Sequence, residues 1–336
     1  MSIAQAISEL SADPPPQDVT DELAALSASL DVAIPAKELD RNLLIGTWNI
    51  RAFGDIADKW HAGEDDSPKR DLRAVACIAE IVSHFDVVAI QEVKGNIKGL
   101  RRMLKALGPE WGFILTDTTR GSAGNDERLA FVYDTRRVKP SGLACELVVP
   151  EEHKDKISEG TLQKQFARTP YAVSFQSGGQ TFILITLHVL WGKDEGERTP
   201  ELKAIAEWLG SWAEQVAEWD QNLFLLGDFN IDRKDDPNFQ AFTSTGLHVP
   251  PEHQNLPRTI FDTPATSLFY DQIAWFEDKL TLTYSGTAGN FDFEPLTFAE
   301  LDEQKKSWRM SDHYPLWAEF LMQPEPHPST RRFTRA

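Results

Sequence analysis

The sequence predicts an α/β fold in which two β-sheets pack face to face and helices cover their outer sides. Three observations carry that expectation. Short apolar runs rich in β-branched and aromatic residues recur along the chain, several of them in succession with no helix between them. A few longer stretches place their apolar residues at helical spacing instead. Hydrophobic residues make up 41% of the 336 positions, enough to fill a substantial core. A doubly wound alternation of strand and helix fits this order less well.

Residues 1–42 read as an acidic N-terminal extension, with a Pro-Pro-Pro run at 14–16 and a short helical stretch around Leu23–Leu30. That composition suggests disorder or an arm for a protein partner. The folded unit is expected over 43–321. LLIGTWNI (43–50) reads as a buried strand, and Ser67-Pro68 as the cap and first residue of a helix. Leu72, Val75, Ala76, Ala79 and Val82 mark that helix's buried face. DVVAIQEV (86–93) is a strand, and Ile97, Leu100, Leu104 and Leu107 mark a helix ending at Gly108-Pro109. Strands follow at FILTD, RLAFVYD, YAVSFQS and TFILITLHV, the last two joined by a hairpin turn at 177–179. Thr199-Pro200 is expected to cap a helix with Leu202, Ile205, Leu209, Trp212 and Val216 on its buried side. NLFLLGDF, SLFYDQIAWF and YPLWAEF complete the strands, and 322–336 reads as a flexible basic tail with Arg331, Arg332 and Arg335.

The balance of 34 Lys and Arg against 52 Asp and Glu gives a net charge of −18, which argues against a polycation-style nucleic-acid binder. It leaves room for an enzyme that meets phosphate through a metal and a few local arginines. Two cysteines, Cys77 and Cys145, make a disulfide framework or a cysteine zinc site an unsuitable reading. No apolar run reaches the roughly 18–20 residues of a membrane span, and the amino terminus lacks the pattern of a signal peptide. A cytoplasmic protein without a membrane role is the expectation.

Polar residues stand at the ends of the apolar strands. Asn49, Glu92 and His188 each end one, and Asp228 with Asn230 end LFLLGDFN. Asp271 opens DQIAWF, and Asp312-His313 precede YPLWAEF. Singly, each suits a turn. Together they can converge at one edge of a sheet and suggest metal-assisted hydrolysis of a phosphate ester. Hard carboxylate and amide oxygens suit Mg²⁺, with Mn²⁺ as the alternative ion. Histidines add acid, base or transition-state hydrogen bonds.

TWNIR, IQEVK, LHV, GDFN, YDQIAWF and SDHYPLW, in this order, resemble the endonuclease/exonuclease/phosphatase superfamily, and within it the deoxyribonuclease I-like branch. The resemblance spans about 43–321 and implies a four-layer α/β/β/α sandwich of two mainly antiparallel sheets. It implies metal-site roles for Asn49, Glu92 and Asp312. Asp228 and Asn230 would orient the water and a phosphate oxygen. His313 with Asp271 resembles the family's His–Asp pair, and His188 its second histidine, supported by Glu127.

His188 and Arg168, the latter in FARTP, separate this chain from the abasic-site endonucleases it otherwise resembles. A guanidinium there offers bidentate phosphate contact. Arg51, Lys94 and Arg309 are further expected substrate contacts, with Lys305, Lys306 and Trp308 beside the last. The expected activity is Mg²⁺-dependent endonuclease nicking of DNA with little sequence preference. The alternative among enzymes is a phosphatase or phosphodiesterase of a lipid or inositol phosphate. Outside enzymes, it is a catalytically silent binding protein on the same scaffold.

Overall fold

In a computed structural model, residues 3–119, 125–147, 168–189, 195–217, 221–234, 236–263 and 268–322 are described. The basic tail at 323–336 and Trp219 lie outside them. The first sheet holds β1 (Asn42–Phe53), β2 (Val87–Lys94), β3 (Trp111–Leu115), β4 (Glu127–Asp134), β11 (Thr283–Asn290) and β12 (Leu316–Leu321). The second holds β5 (Lys139–Glu146), β6 (Tyr171–Ser177), β7 (Gln180–His188), β8 (Gln221–Asp228), β9 (Leu247–His248) and β10 (Asp271–Phe276). Their orders are β11-β12-β1-β2-β4-β3 and β5-β6-β7-β8-β10-β9. Each sheet is antiparallel except at its centre, where β1 pairs parallel with β2 and β7 with β8.

Both parallel pairs need a crossover helix. These are α3 (Leu72–Ser83) and α5 (Glu195–Ala217). With α1 (Ile3–Ala6), α2 (Gln17–Ala33) and α4 (Lys98–Leu107), α3 covers the first sheet; α6 (Pro237–Thr243) joins α5 on the second. A short α7 (Glu303–Arg309) leads toward β12.

Strand alternation builds the layers. In β1, Leu43 and Ile45 face the second sheet while Leu44 and Trp48 face the helices. In β8, Phe224 and Leu226 face the first sheet while Leu223 and Leu225 face α5. The result is the α/β/β/α sandwich that the strand pattern suggested. Among the described residues no helix is long and apolar enough to cross a membrane.

Local expectations fail at three places. The arm before residue 43 does not stand apart. Val19, Leu23, Leu26 and Leu30 recur on one face of α2 and are buried in the same apolar cluster as α3 and α4. Each such leucine contributes about 2 kcal/mol by leaving water. That apolar face is taken up by the body of the protein and is not free for a partner. Second, α3 begins at Leu72, not after Ser67-Pro68, because Asp71 supplies the cap: its carboxylate accepts from Ala74 N at 3.0 Å. Third, Pro200 lies within α5, which already runs from Glu195. This early in a helix, a missing N–H removes only a bond back to the first turn.

Candidate active site

The parallel centres of the two sheets present the C-terminal ends of β1, β2, β7 and β8 at one edge. Register places His188 directly beside Asp228, and Asp271 on the other side of Asp228. Gly227 makes this approach feasible. Its φ is 140°, and a Cβ there would lie 2.1 Å from Leu187 O. Glu92, Ala52 and Asn230 hold positive φ (61°, 45° and 51°) without being glycine. Glu92 sits where the β2–β4 register shifts, and the bulge turns its carboxylate to the edge.

Asp228 is the hub. Its Oδ2 accepts from Asn49 Nδ2 at 3.0 Å and lies 3.6 Å from His188 Nε2 and 3.9 Å from His313 Nε2. Its Oδ1 accepts from Asn230 N at 3.0 Å, while Asn230 Nδ2 donates to Val189 O at 2.6 Å. Both histidines carry a carboxylate at Nδ1. Asp271 Oδ2 is 2.6 Å from His313, and Glu127 Oε2 is 3.2 Å from His188. Burial works against a charged His313, but Asp271, then Asp228 and Asp312, outweigh it and hold its pKa well above the ordinary value. Burial likewise pushes the Asp271 carboxyl up, to about 6, against the pull of His313.

Glu127 is gripped more widely. Its Oε2 is 2.9 Å from Arg168 Nε, and its Oε1 accepts from Lys94 Nζ at 3.0 Å and Asn125 Nδ2 at 2.5 Å. Burial alone would raise its pKa; His188, Arg168 and Lys94 override this and hold it at about 2.

Asn49, Glu92 and Asp312 are the candidate oxygen donors for a cation. Asn49 Oδ1 is buried with no hydrogen-bond partner, because its Nδ2 faces Asp228. Glu92 Oε1 is 3.4 Å from Asn49 Nδ2, and its Oε2 accepts from Ala52 N at 2.8 Å. Ser311 Oγ donates to Asn49 O at 2.6 Å and so ties the Asp312 loop to β1. Among the described residues no three His, Cys, Asp or Glu side chains form a cage for an ion. Mg²⁺ does not require one, since it takes one or two carboxylates and keeps water and phosphate oxygens. An orphaned amide oxygen on a side chain that meets the carboxylates of Glu92 and Asp228 fits that donor set.

The expected substrate contacts divide. Arg168 lies at the edge, with Nη1 3.5 Å from His188 O. Arg51 stacks on the Trp308 ring at 3.9 Å and reaches Asp312 Oδ2 at 3.3 Å. Lys94 is engaged by Glu127. Arg309 is the correction: it is buried, with Nη1 3.3 Å from Asp71 Oδ2 and Nη2 donating to Ala62 O at 2.8 Å. Its charge is spent on the loop before α3. Lys306 is similarly buried against Glu294, and Lys305 pairs with Asp302.

Sequence reasoning missed two supporting arginines. Arg70 donates to the carbonyls of Arg51, Ala52, Arg309 and Met310 and joins the two loops beside the edge. Arg258 Nε donates to Asp271 O at 2.8 Å. Burial lowers both pKa values to about 10. Neither lies near a motif, so only a buried position could have marked them.

The chain is similar to several known proteins. A protein named deoxyribonuclease from Thioalkalivibrio sp. (strain K90mix) is 28% identical over 309 residues, covering 88% of this chain and 75% of that protein. A mannosyl-6-phosphatase of Bacteroides thetaiotaomicron superposes with a TM-score of 0.54 at 19% identity, over 83% of this chain and 99% of the other. Danio rerio TDP2 complexed with a single-strand DNA product gives 0.52 at 16% identity, over 83% and 98%. At such identities these two structures share the fold. The profile of the Endonuclease/Exonuclease/phosphatase family matches residues 46–293, and the chain belongs to that family.

Proposed function

We propose that this protein is a Mg²⁺-dependent phosphodiesterase that nicks DNA with little sequence preference by attack of water on phosphorus. One observation carries the reading: two carboxylate-backed imidazoles face the same Asp228 oxygen, beside an unpartnered Asn49 oxygen and Glu92. The gaps of 3.6 and 3.9 Å are too long for direct hydrogen bonds and leave each Nε2 available to water or a phosphoryl oxygen. The similarity to a deoxyribonuclease, together with Arg168 at the edge, supports DNA over a small phosphoester.

Asn49, Glu92 and Asp312 would hold the ion, which would supply charge neutralisation at the phosphate. Asp228 accepts a hydrogen bond from the attacking water and directs its lone pair toward phosphorus, with Asn230 holding the loop. His313, protonated among carboxylates, donates from Nε2 as charge develops on a phosphoryl oxygen. His188 takes the water's proton at its Nε2, and the Glu127 carboxylate 3.2 Å from Nδ1 stabilises the imidazolium that forms. A water oxygen–phosphorus bond forms as the water's proton passes to His188 Nε2, the phosphorus–leaving-oxygen bond breaks, and the leaving oxygen takes up a proton from solvent.

A supercoiled-plasmid assay with Mg²⁺ or EDTA tests this. Nicking is expected only with the metal and should fall at least about 10²-fold in His188→Ala. Intact plasmid beside hydrolysis of a lipid or inositol phosphate would replace DNA as substrate. Unchanged nicking in His188→Ala would remove the assigned role.

A further inference from the structure

In a chain of net charge −18, α4 (KGLRRMLKAL) carries four cations in ten residues. Its Leu100, Met103, Ala106 and Leu107 are buried, so Lys98, Arg101, Arg102 and Lys105 line the outward face. With Asn96 and Ile97 they border a shallow groove of about 400 Å³.

These charges are only partly neutralised. Lys98 Nζ lies 2.8 Å from Asp58 and 3.4 Å from Asp55, and Arg102 Nη2 shares Asp58 at 3.1 Å. Otherwise Arg102 and Lys105 donate to the carbonyls of Leu10 and Glu9, which carry no charge. Arg101 is exposed and pairs with no carboxylate among the described residues. Two carboxylates thus face four cations.

Position gives the surplus a use. Lys98 follows Lys94 by four residues, and Gly99 N donates to Gly54 O at 2.8 Å, beside the Arg51–Ala52 turn at the active edge. Arg128 Nη1 extends the positive surface, donating to Gly95 O at 2.9 Å, again to a carbonyl and not a carboxylate. From Lys98 to Lys105 the helix rises about 10 Å, or about three base steps of one strand at 3.4 Å each.

Resting on the nuclease reading above, we propose that the outward face of α4, continued by Arg128, grips the phosphate backbone of a DNA duplex away from the linkage that is cut. Such contacts hold and orient the duplex without reading bases, consistent with weak sequence preference.

The test compares Arg101→Gln/Lys105→Gln with a remote control of equal charge change, Lys139→Gln/Lys203→Gln. Lys139 lies at the end of the second sheet opposite His188, and Lys203 lies on α5. Binding of a fluorescent DNA duplex is titrated against salt in EDTA. Turnover is measured on plasmid and on bis(p-nitrophenyl) phosphate, which is too small to reach α4. The α4 variant should bind about tenfold more weakly near 0.1 M salt, with the log–log salt slope reduced by about two. Its plasmid KM should rise with kcat and the small-substrate rate unchanged. Wild-type slope and affinity in the α4 variant, with plasmid still cut, would overturn the grip and leave the nuclease standing. A reduced slope with plasmid left intact by the wild type would keep the grip and remove the nuclease reading.

Discussion

His313 and His188 reach the same Asp228 oxygen from opposite sheets, and each takes its carboxylate from the sheet to which it does not belong. His313 precedes β12 of the first sheet and is backed by Asp271 on β10 of the second; His188 ends β7 of the second and is backed by Glu127 on β4 of the first. The two pairs are supported differently. Around His313 the backbone is fastened: Trp48 Nε1 donates to His313 O, Arg258 to Asp271 O, and His313 N to Ser311 Oγ. His188 itself is held in the β7–β8 ladder, but its carboxylate is fastened through side chains, because Glu127 is shared among His188, Arg168, Lys94 and Asn125. A backbone-held pair is preorganised before substrate arrives. If Arg168 and Lys94 contact phosphate as proposed above, a pair held through them is tied to substrate, and its geometry should respond when substrate binds.

The largest difference should appear on removing charge from each carboxylate. Asp271→Asn loses its only strong partner for Nδ1 in a buried site and offers the wrong tautomer, so kcat on plasmid should fall about 10²–10⁴-fold. Glu127→Gln leaves His188 near Arg168 and an amide oxygen, and about a tenfold loss is expected. Circular dichroism should show both variants folded. Equal losses would mean that the two pairs do the same work.

Glu127 also sets a pH signature that separates the pairs. Its pKa is about 2 in the fold against an ordinary 4.5, so the unfolded chain binds its proton first as acid is added. Its contribution to stability is therefore complete above about pH 4.5 and lost as pH falls toward about 2. Urea unfolding of wild type and Glu127→Gln should differ at pH 6, and the gap should close by about pH 2–3. A gap independent of pH would show that Glu127 is not held ionised by its three neighbours.

The strand ends were legible because each joins an apolar run to a single polar residue, which is how Asn49, Glu92, His188 and Asp228 stand out. The convergence on one Asp228 oxygen was not, since it depends on the stacking of two sheets. Helix α7 was hidden because the groups it buries are Lys306, Ser307 and Arg309, which show no apolar period. The same fact misled the reading of Arg309, whose charge looks in sequence like those of Arg51 and Arg168. In the N-terminal segment the helical period was present at Val19, Leu23, Leu26 and Leu30. Acidic composition and three prolines drew attention away from it.

That segment offers the subtlest test of the comparison. Glu22 on α2 holds Arg73 through both carboxylate oxygens (2.6 and 2.7 Å) and accepts from Phe298 N at 2.6 Å; Arg73 in turn reaches Glu300 Oε1 at 2.6 Å. Residues 298–300 run into α7 and then to Ser311 and His313, whereas none of these contacts leads to β7. Glu22→Gln should therefore cost about 1–3 kcal/mol of stability, read from the urea midpoint. It should lower kcat only a few-fold, and imidazole NMR signals should shift for His313 while those of His188 stay in place. Movement of both histidines alike would mean that the helical layer supports the whole edge and that the contrast between the pairs is confined to their immediate neighbours.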